Sequence, residues 1–202
     1  MSAPTCRPTP VTPPIVVMGV CGAGKSVIGA QLADTLGLPF LDGDDLHPAA
    51  NVAKMSQGLS LTDEDRRPWL AAVGSWLADH CGSGAVMACS ALKRSYRDQL
   101  RAACPGIVFI HLAGDQHIVT HRVTARPDHF MPPSLVTSQY QALEPLQDDE
   151  TGITLDFDQP VDDLGPEPLL DEGADADVAA RELGGGQDGV HRGAGEAALR
   201  QH

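Results

Sequence analysis

The run Gly19-Val20-Cys21-Gly22-Ala23-Gly24-Lys25-Ser26 constrains this chain more than any other feature. It fits GxxxxGK[ST], the pattern of a loop that has to join a β-strand to an α-helix. The flanks meet that demand. Ile15 to Met18 is a short apolar run rich in β-branched residues, and Ile28, Leu32 and Leu36 recur at helical spacing on the far side. In such a loop, glycines let backbone N–H groups turn inward around phosphate oxygens, and the helix N-terminus adds the positive end of its dipole. Every residue from Gly19 to Ser26 is therefore expected to bind the phosphates of a nucleotide, with Lys25 reaching the β and γ phosphates and Ser26 ligating Mg²⁺. The loop alone does not separate a kinase from a hydrolase or a nucleotide-driven switch.

The rest of the chain reads as alternating strand and helix. Apolar runs at 38–41, 85–89, 107–112 and 153–157 are separated by segments long enough for helices, which predicts an α/β fold with a parallel sheet covered on both faces. Between the second and third runs lies a long insert. There, Pro68 is read as a first helical position, and Trp69, Val73, Trp76 and Leu77 line one helix face, read as core. Three parts are expected: an N-terminal arm over 1–14 without regular structure, one catalytic domain over 15–164, and a Gly- and acid-rich tail over 165–202 with too few large apolar residues to order itself.

Charge narrows the partners. The formal net charge is −13, which opposes binding to nucleic acid or to acidic membrane surfaces. No window is apolar for long enough to span a bilayer, and the Pro- and Thr-rich N-terminus lacks the apolar core of a secretion signal. Five scattered cysteines without a CxxC pair give no disulfide framework, so a reducing cytoplasm is expected.

Leu41-Asp42-Gly43-Asp44-Asp45-Leu46-His47-Pro48 follows the second strand directly. Ligands of open α/β sheets bind at the C-terminal ends of strands, so Asp42 and Asp44 are both expected at the site. Of two carboxylates there, one can organise Mg²⁺ through water while the other accepts a proton from an attacking hydroxyl; the residues alone also allow an acidic turn that caps a helix near His47. The chain has only three lysines, Lys25, Lys54 and Lys93, and together with Arg66, Arg97 and His47 the latter two are expected to bind an anionic acceptor. Arg122 and Arg126, four apart, would share a helix face and close a lid, Arg122 on the nucleotide and Arg126 on the moving phosphoryl group. His129, just beyond, is grouped with the acceptor ligands.

Taken in order, GVCGAGKS, LDGDDLHP, NVAKMSQGLSLTDEDRRPWL, CSALKRSYRDQLR, HRVTARPDHFMPP, QYQALEPL and DFDQP resemble the gluconokinase family of phosphate-loop kinases. The resemblance spans nearly all of 15–164. It implies transfer of a phosphoryl group from ATP to D-gluconate, with Mg²⁺, on a three-layer α/β/α fold with about five parallel strands, in a homodimer. It further implies Asp44 as the catalytic base, Asp42 as the magnesium organiser, and Gln159 and Pro160 beside adenine. Two departures stand out: the terminal helix usual in the family has no counterpart in 165–202, and Pro127-Asp128 replaces the more usual basic residue and glycine. The competing readings are a kinase resembling shikimate kinase, against which LDGDDLHP and CSALKRSYRD argue, and a nucleotide-binding module without catalysis, which would have no use for an acceptor aspartate.

Overall fold

The computed structural model describes residues 12–125 and 134–158. Its elements in chain order are β1 (Ile15–Met18), α1 (Lys25–Leu36), β2 (Phe40–Asp42), a 3₁₀ turn (Gly43–Leu46), α2 (Ala49–Ser56) and α3 (Asp63–Asp79). They continue with β3 (Val86–Ala88), α4 (Arg94–Ala103), β4 (Val108–Ala113), α5 (Gln116–Thr124), α6 (Ser134–Ala142) and β5 (Gly152–Asp156). The five strands form one sheet in the order β2-β3-β1-β4-β5, and every neighbouring pair is parallel.

Alternation along each strand builds the three layers. Ile15, Val17, Ile110 and Leu112 turn toward a core that includes Leu32 of α1, Val119 and Val123 of α5, and Leu135 and Val136 of α6. Val16, Met18 and Phe109 turn the other way, onto Trp69, Leu70, Val73 and Leu77 of α3 and Tyr96 and Leu100 of α4. Because both faces are covered, β1 is buried along its whole length, so it reads as a continuous apolar run.

Two expectations about local structure change. Pro68 lies well inside α3, which starts at Asp63 behind a capping box: Asp65 N–H donates to the Thr62 hydroxyl at 3.2 Å, and Thr62 N–H donates to the Asp65 carboxylate at 2.7 Å. Those caps satisfy the helix start and outweigh the one backbone bond that a proline at this depth removes. The cysteines also depart from expectation, for Cys81 and Cys104 are joined in a disulfide with Cα atoms 5.9 Å apart. They follow the ends of α3 and α4, two helices that pack together, and nothing in their sequence spacing of 23 announced it.

The expected arm and tail lie almost entirely outside the described residues.

Candidate active site

The phosphate loop takes its shape from backbone demands. Gly19 sits at φ +138°, where a Cβ would come within 2.7 Å of the Leu112 carbonyl oxygen, so only glycine lets the chain leave β1 beside β4. Gly24, also at positive φ, opens α1, which places Lys25 and Ser26 in its first turn. Lys25 Nζ donates to the Val20 carbonyl oxygen at 3.0 Å, and Cys21 N–H donates to Gln139 Oε1 of α6 at 2.6 Å.

The acceptor turn is fixed from three sides. Asp42 caps the 3₁₀ turn by accepting from Asp44 N–H at 3.0 Å. Gly43 lies so close to β3 that a Cβ would meet the Ala88 carbonyl oxygen at 2.8 Å. Its own carbonyl accepts from the indole N–H of Trp69 at 2.7 Å. Asp44 is thereby presented, about two-fifths exposed at 38 %, to the same pocket that Lys25 enters.

His47 stacks on Trp69, ring centroids 4.5 Å apart and planes within 9°, and its Nε2 stands 3.9 Å from Asp44 Oδ1. Burial pushes the His47 imidazole below its ordinary value; nearby Asp44 pulls the other way, and Arg66 adds to the lowering. The ring is therefore neutral at pH 7. Trp69 is core, as the sequence indicated, and it is also the wall of the site, a second role that spacing could not reveal.

Lys25, Asp44, His47 and Arg66 thus share one pocket, with Ser90, Leu92 and Gln139. Leu61, Arg66, Leu92 and Gln139 also line a neighbouring recess of about 290 Å³, which carries Lys93. Buried Cys89 nearby has its thiol pushed up to about 12, mainly by desolvation, and is a packing residue without nucleophilic character at neutral pH.

Two expected acceptor ligands stand elsewhere. Arg97 is fully buried. Its Nε and Nη2 make a bidentate pair with Glu150 at 2.7 and 2.8 Å, and its remaining donors serve the carbonyls of Ala91, Leu92, Glu144 and Pro145. It braces the turn through Ala91, held at φ 41°, and has nothing left for a substrate. Lys54 donates to Asp65 at 2.5 Å, tying α2 to the cap of α3, and lines neither pocket.

On the lid side, α5 runs to Thr124 with Ala125 as its cap. Arg122, on α5, packs its guanidinium 4.7 Å over the Phe157 ring. Arg126, His129, Gln159 and Pro160 lie outside the described residues. Asp158, next to the last two, accepts from Asp115 N–H at the start of α5.

Sequence reasoning missed Gln139, Tyr96, Asp63 and Glu150. Gln139 and Asp63 line the pockets and Tyr96 stands behind them, donating to Asp63, yet each reads in isolation as an ordinary helix residue; Glu150 carries no local signal at all.

Comparison with known proteins fits this geometry. Residues 21–151 match the family model described as shikimate kinase. A gluconokinase of Gluconobacter oxydans is 50% identical over 141 residues, covering 69% of this chain and 79% of that protein. The thermosensitive gluconokinase of Escherichia coli is 46% identical over 140 residues, covering 68% and 75%. Among solved structures, a gluconokinase from Sinorhizobium meliloti superposes with a TM-score of 0.68 at 46% identity, covering 74% of this chain and 85% of its own.

Proposed function

The chain belongs to the gluconokinase family, and its phosphate-loop domain to the shikimate kinase family, and from that premise we propose that it transfers the γ-phosphoryl group of ATP to D-gluconate. The products are ADP and 6-phospho-D-gluconate. The enzyme is a phosphotransferase that uses an alcohol as acceptor. One observation carries the reading furthest: Lys25 and Asp44, from separate motifs, meet in one pocket that runs past Arg66 into a recess bearing a second cation, Lys93.

Division of labour follows from chemistry and position. The loop from Gly19 to Ser26 cradles the phosphates, and Lys25 neutralises charge that develops as the phosphoryl group moves. Asp44 accepts the proton of the acceptor hydroxyl as its oxygen attacks phosphorus. Neutral His47, wedged between Asp44 and Trp69, adds no charge that would weaken that base. Arg66 and Lys93 hold the carboxylate at the other end of the acid.

Ser26 and Asp42 offer only oxygen donors, which suits Mg²⁺ delivered with the nucleotide, and the ion would supply positive charge to the phosphates. Among the described residues no group of three or more His, Cys, Asp or Glu could hold a metal. That fits an ion that draws most of its ligands from phosphate and water. The family resemblance supports Arg122 and Arg126 as the lid, His129 among the acceptor ligands, Gln159 and Pro160 beside adenine, a homodimer and a cytoplasmic setting. No described helix is long and apolar enough to cross a membrane.

The test is ADP release with ATP alone and with a panel of D-gluconate, shikimate, D-glucose and other sugar acids. Gluconate should stimulate it most. Stimulation by shikimate in its place would move the chain to the other branch of the family, and release that ignores every acceptor would leave a nucleotide hydrolase.

A further inference from the structure

Lys93 does not wait empty-handed for the acid. Its Nζ donates to Asp63 Oδ1 at 2.7 Å, and the Tyr96 hydroxyl donates to the same oxygen. Both donors are set at the start of α4, where Tyr96 is buried and Lys93 is 30 % exposed. The two cations of the recess flank that ring, Lys93 Nζ at 5.4 Å and the Arg66 guanidinium at 5.8 Å from its centroid. An ammonium and a phenol converging on one carboxylate oxygen, beside a guanidinium, is the donor set that an acceptor's carboxylate requires.

Asp63 is a loosely held occupant of that donor set. Its side chain is 64 % exposed, so it can turn to water at little cost. The start of α3 does not depend on it, because Thr62 and Asp65 supply both halves of the capping box. Asp65, two residues on, is locked into that cap and to Lys54, whereas the hydrogen bonds of the Asp63 carboxylate among the described residues come from Lys93 and Tyr96.

We propose that Asp63 is a specificity-determining stand-in for the acceptor's carboxylate: it occupies Lys93 and Tyr96 in the resting enzyme and yields them when an acid enters. The inference rests on the gluconate reading and goes beyond it, since it assigns a role to a residue of the opposite charge. An acceptor without a carboxylate cannot displace Asp63, and the recess stays neutralised and closed to it. An acid completes the exchange, with a weakened net attraction because the displaced carboxylate stays nearby. Lys93 and Asp63 reinforce each other's charged forms, Lys93 raised and Asp63 lowered chiefly by their mutual hydrogen bond, so the pair persists across neutral pH.

The experiment compares parent and Asp63→Asn enzyme in steady-state kinetics with D-gluconate at two ionic strengths. Removing one negative charge within a few ångströms of the bound carboxylate should lower KM for gluconate about five- to tenfold, with kcat changed less than KM and the gain shrinking in high salt. Adding Lys93→Met should erase the gain. A KM for Asp63→Asn equal to or above that of the parent would refute the exchange and leave Asp63 as a helix residue. Asp63→Ser, which keeps a good helix-start residue, gives the same readout if the asparagine variant folds poorly. Absence of gluconate-dependent ADP release in the parent would refute the gluconate reading itself, and this inference with it; the two failures appear in different enzymes.

Discussion

Replacing Arg97 with methionine separates the strut seen in the structure from the acceptor ligand expected from sequence. Methionine fills the aliphatic volume but leaves Glu150 buried without its bidentate partner. Breaking a buried ion pair from one side costs about 3–5 kcal/mol, because the remaining charge stays desolvated. The Gln147 N–H, at 3.1 Å, and the Arg94 guanidinium, 3.7 Å away, would remain beside the Glu150 carboxylate without replacing the bidentate bonds, and four carbonyls would lose a donor as well. For a chain of this size about 1 kcal/mol shifts Tm by roughly 2–4 °C, so a fall of about 6–20 °C is expected by differential scanning fluorimetry or calorimetry.

A double-variant cycle sharpens the test. Glu150→Gln in the Arg97→Met background removes the stranded charge, so the double variant should be more stable than Arg97→Met alone. Below the melting range, KM for gluconate should move little in the single variant. The opposite pattern, an unchanged Tm with KM raised a hundredfold, would show that Arg97 touches substrate and that the buried pair is misassigned.

Three further outcomes follow from the site. Asp44→Asn keeps shape but removes the base, so kcat should fall by roughly 10²-fold or more with little change in KM for ATP; an unchanged kcat moves the base elsewhere. Arg66→Ala should damage turnover of gluconate far more than any residual turnover of glucose, which has no carboxylate to leave unpaired, and equal losses would make Arg66 a residue of fold or nucleotide. Burial lowers both His47 and His111, and the neighbouring Arg97 lowers His111 further, so the unfolded chain takes up protons first as pH falls through about 6.5. Stability should therefore drop between pH 7 and 5, and His111→Leu should flatten that slope in urea titrations; a parent whose urea midpoint holds constant over this range would contradict the assignment.

The phosphate loop and the acceptor turn were legible in sequence because their chemistry is contiguous. Eight neighbouring residues shape one cradle, and Asp42 and Asp44 are placed by the strand end that precedes them. The capping box of α3 lies in Thr62-Asp63-Glu64-Asp65, but its third helical position holds Asp where Glu or Gln is the usual signature, so Pro68 gave the stronger local sign of a helix start. Arg97 was not legible. Its partner Glu150 lies 53 positions away on a segment without periodicity, and Arg94, three residues earlier on the same helix, hydrogen-bonds the exposed Asp98 and Asp149 and stands 3.7 Å from the same Glu150. Burial is a property of the assembled layers, and residue type at a given spacing does not carry it.

Scarcity of cations was the argument for treating Lys54 and Lys93 alike, and the structure shows where that argument fails. In a chain this acidic, a lysine near the start of α3 finds a carboxylate regardless of function, and both of them do. What separates them is the other duty of each partner. Asp65 also caps the helix, and its carboxyl is held down to about 2, first by Lys54 and then by Thr62, so Lys54 cannot leave without undoing the cap. Asp63 has no such duty, and the pair it forms with Lys93 opens onto the recess. A cation is available to a substrate when its resident partner is dispensable to the fold, and that criterion favours Lys93 over Lys54 for the acceptor role proposed above.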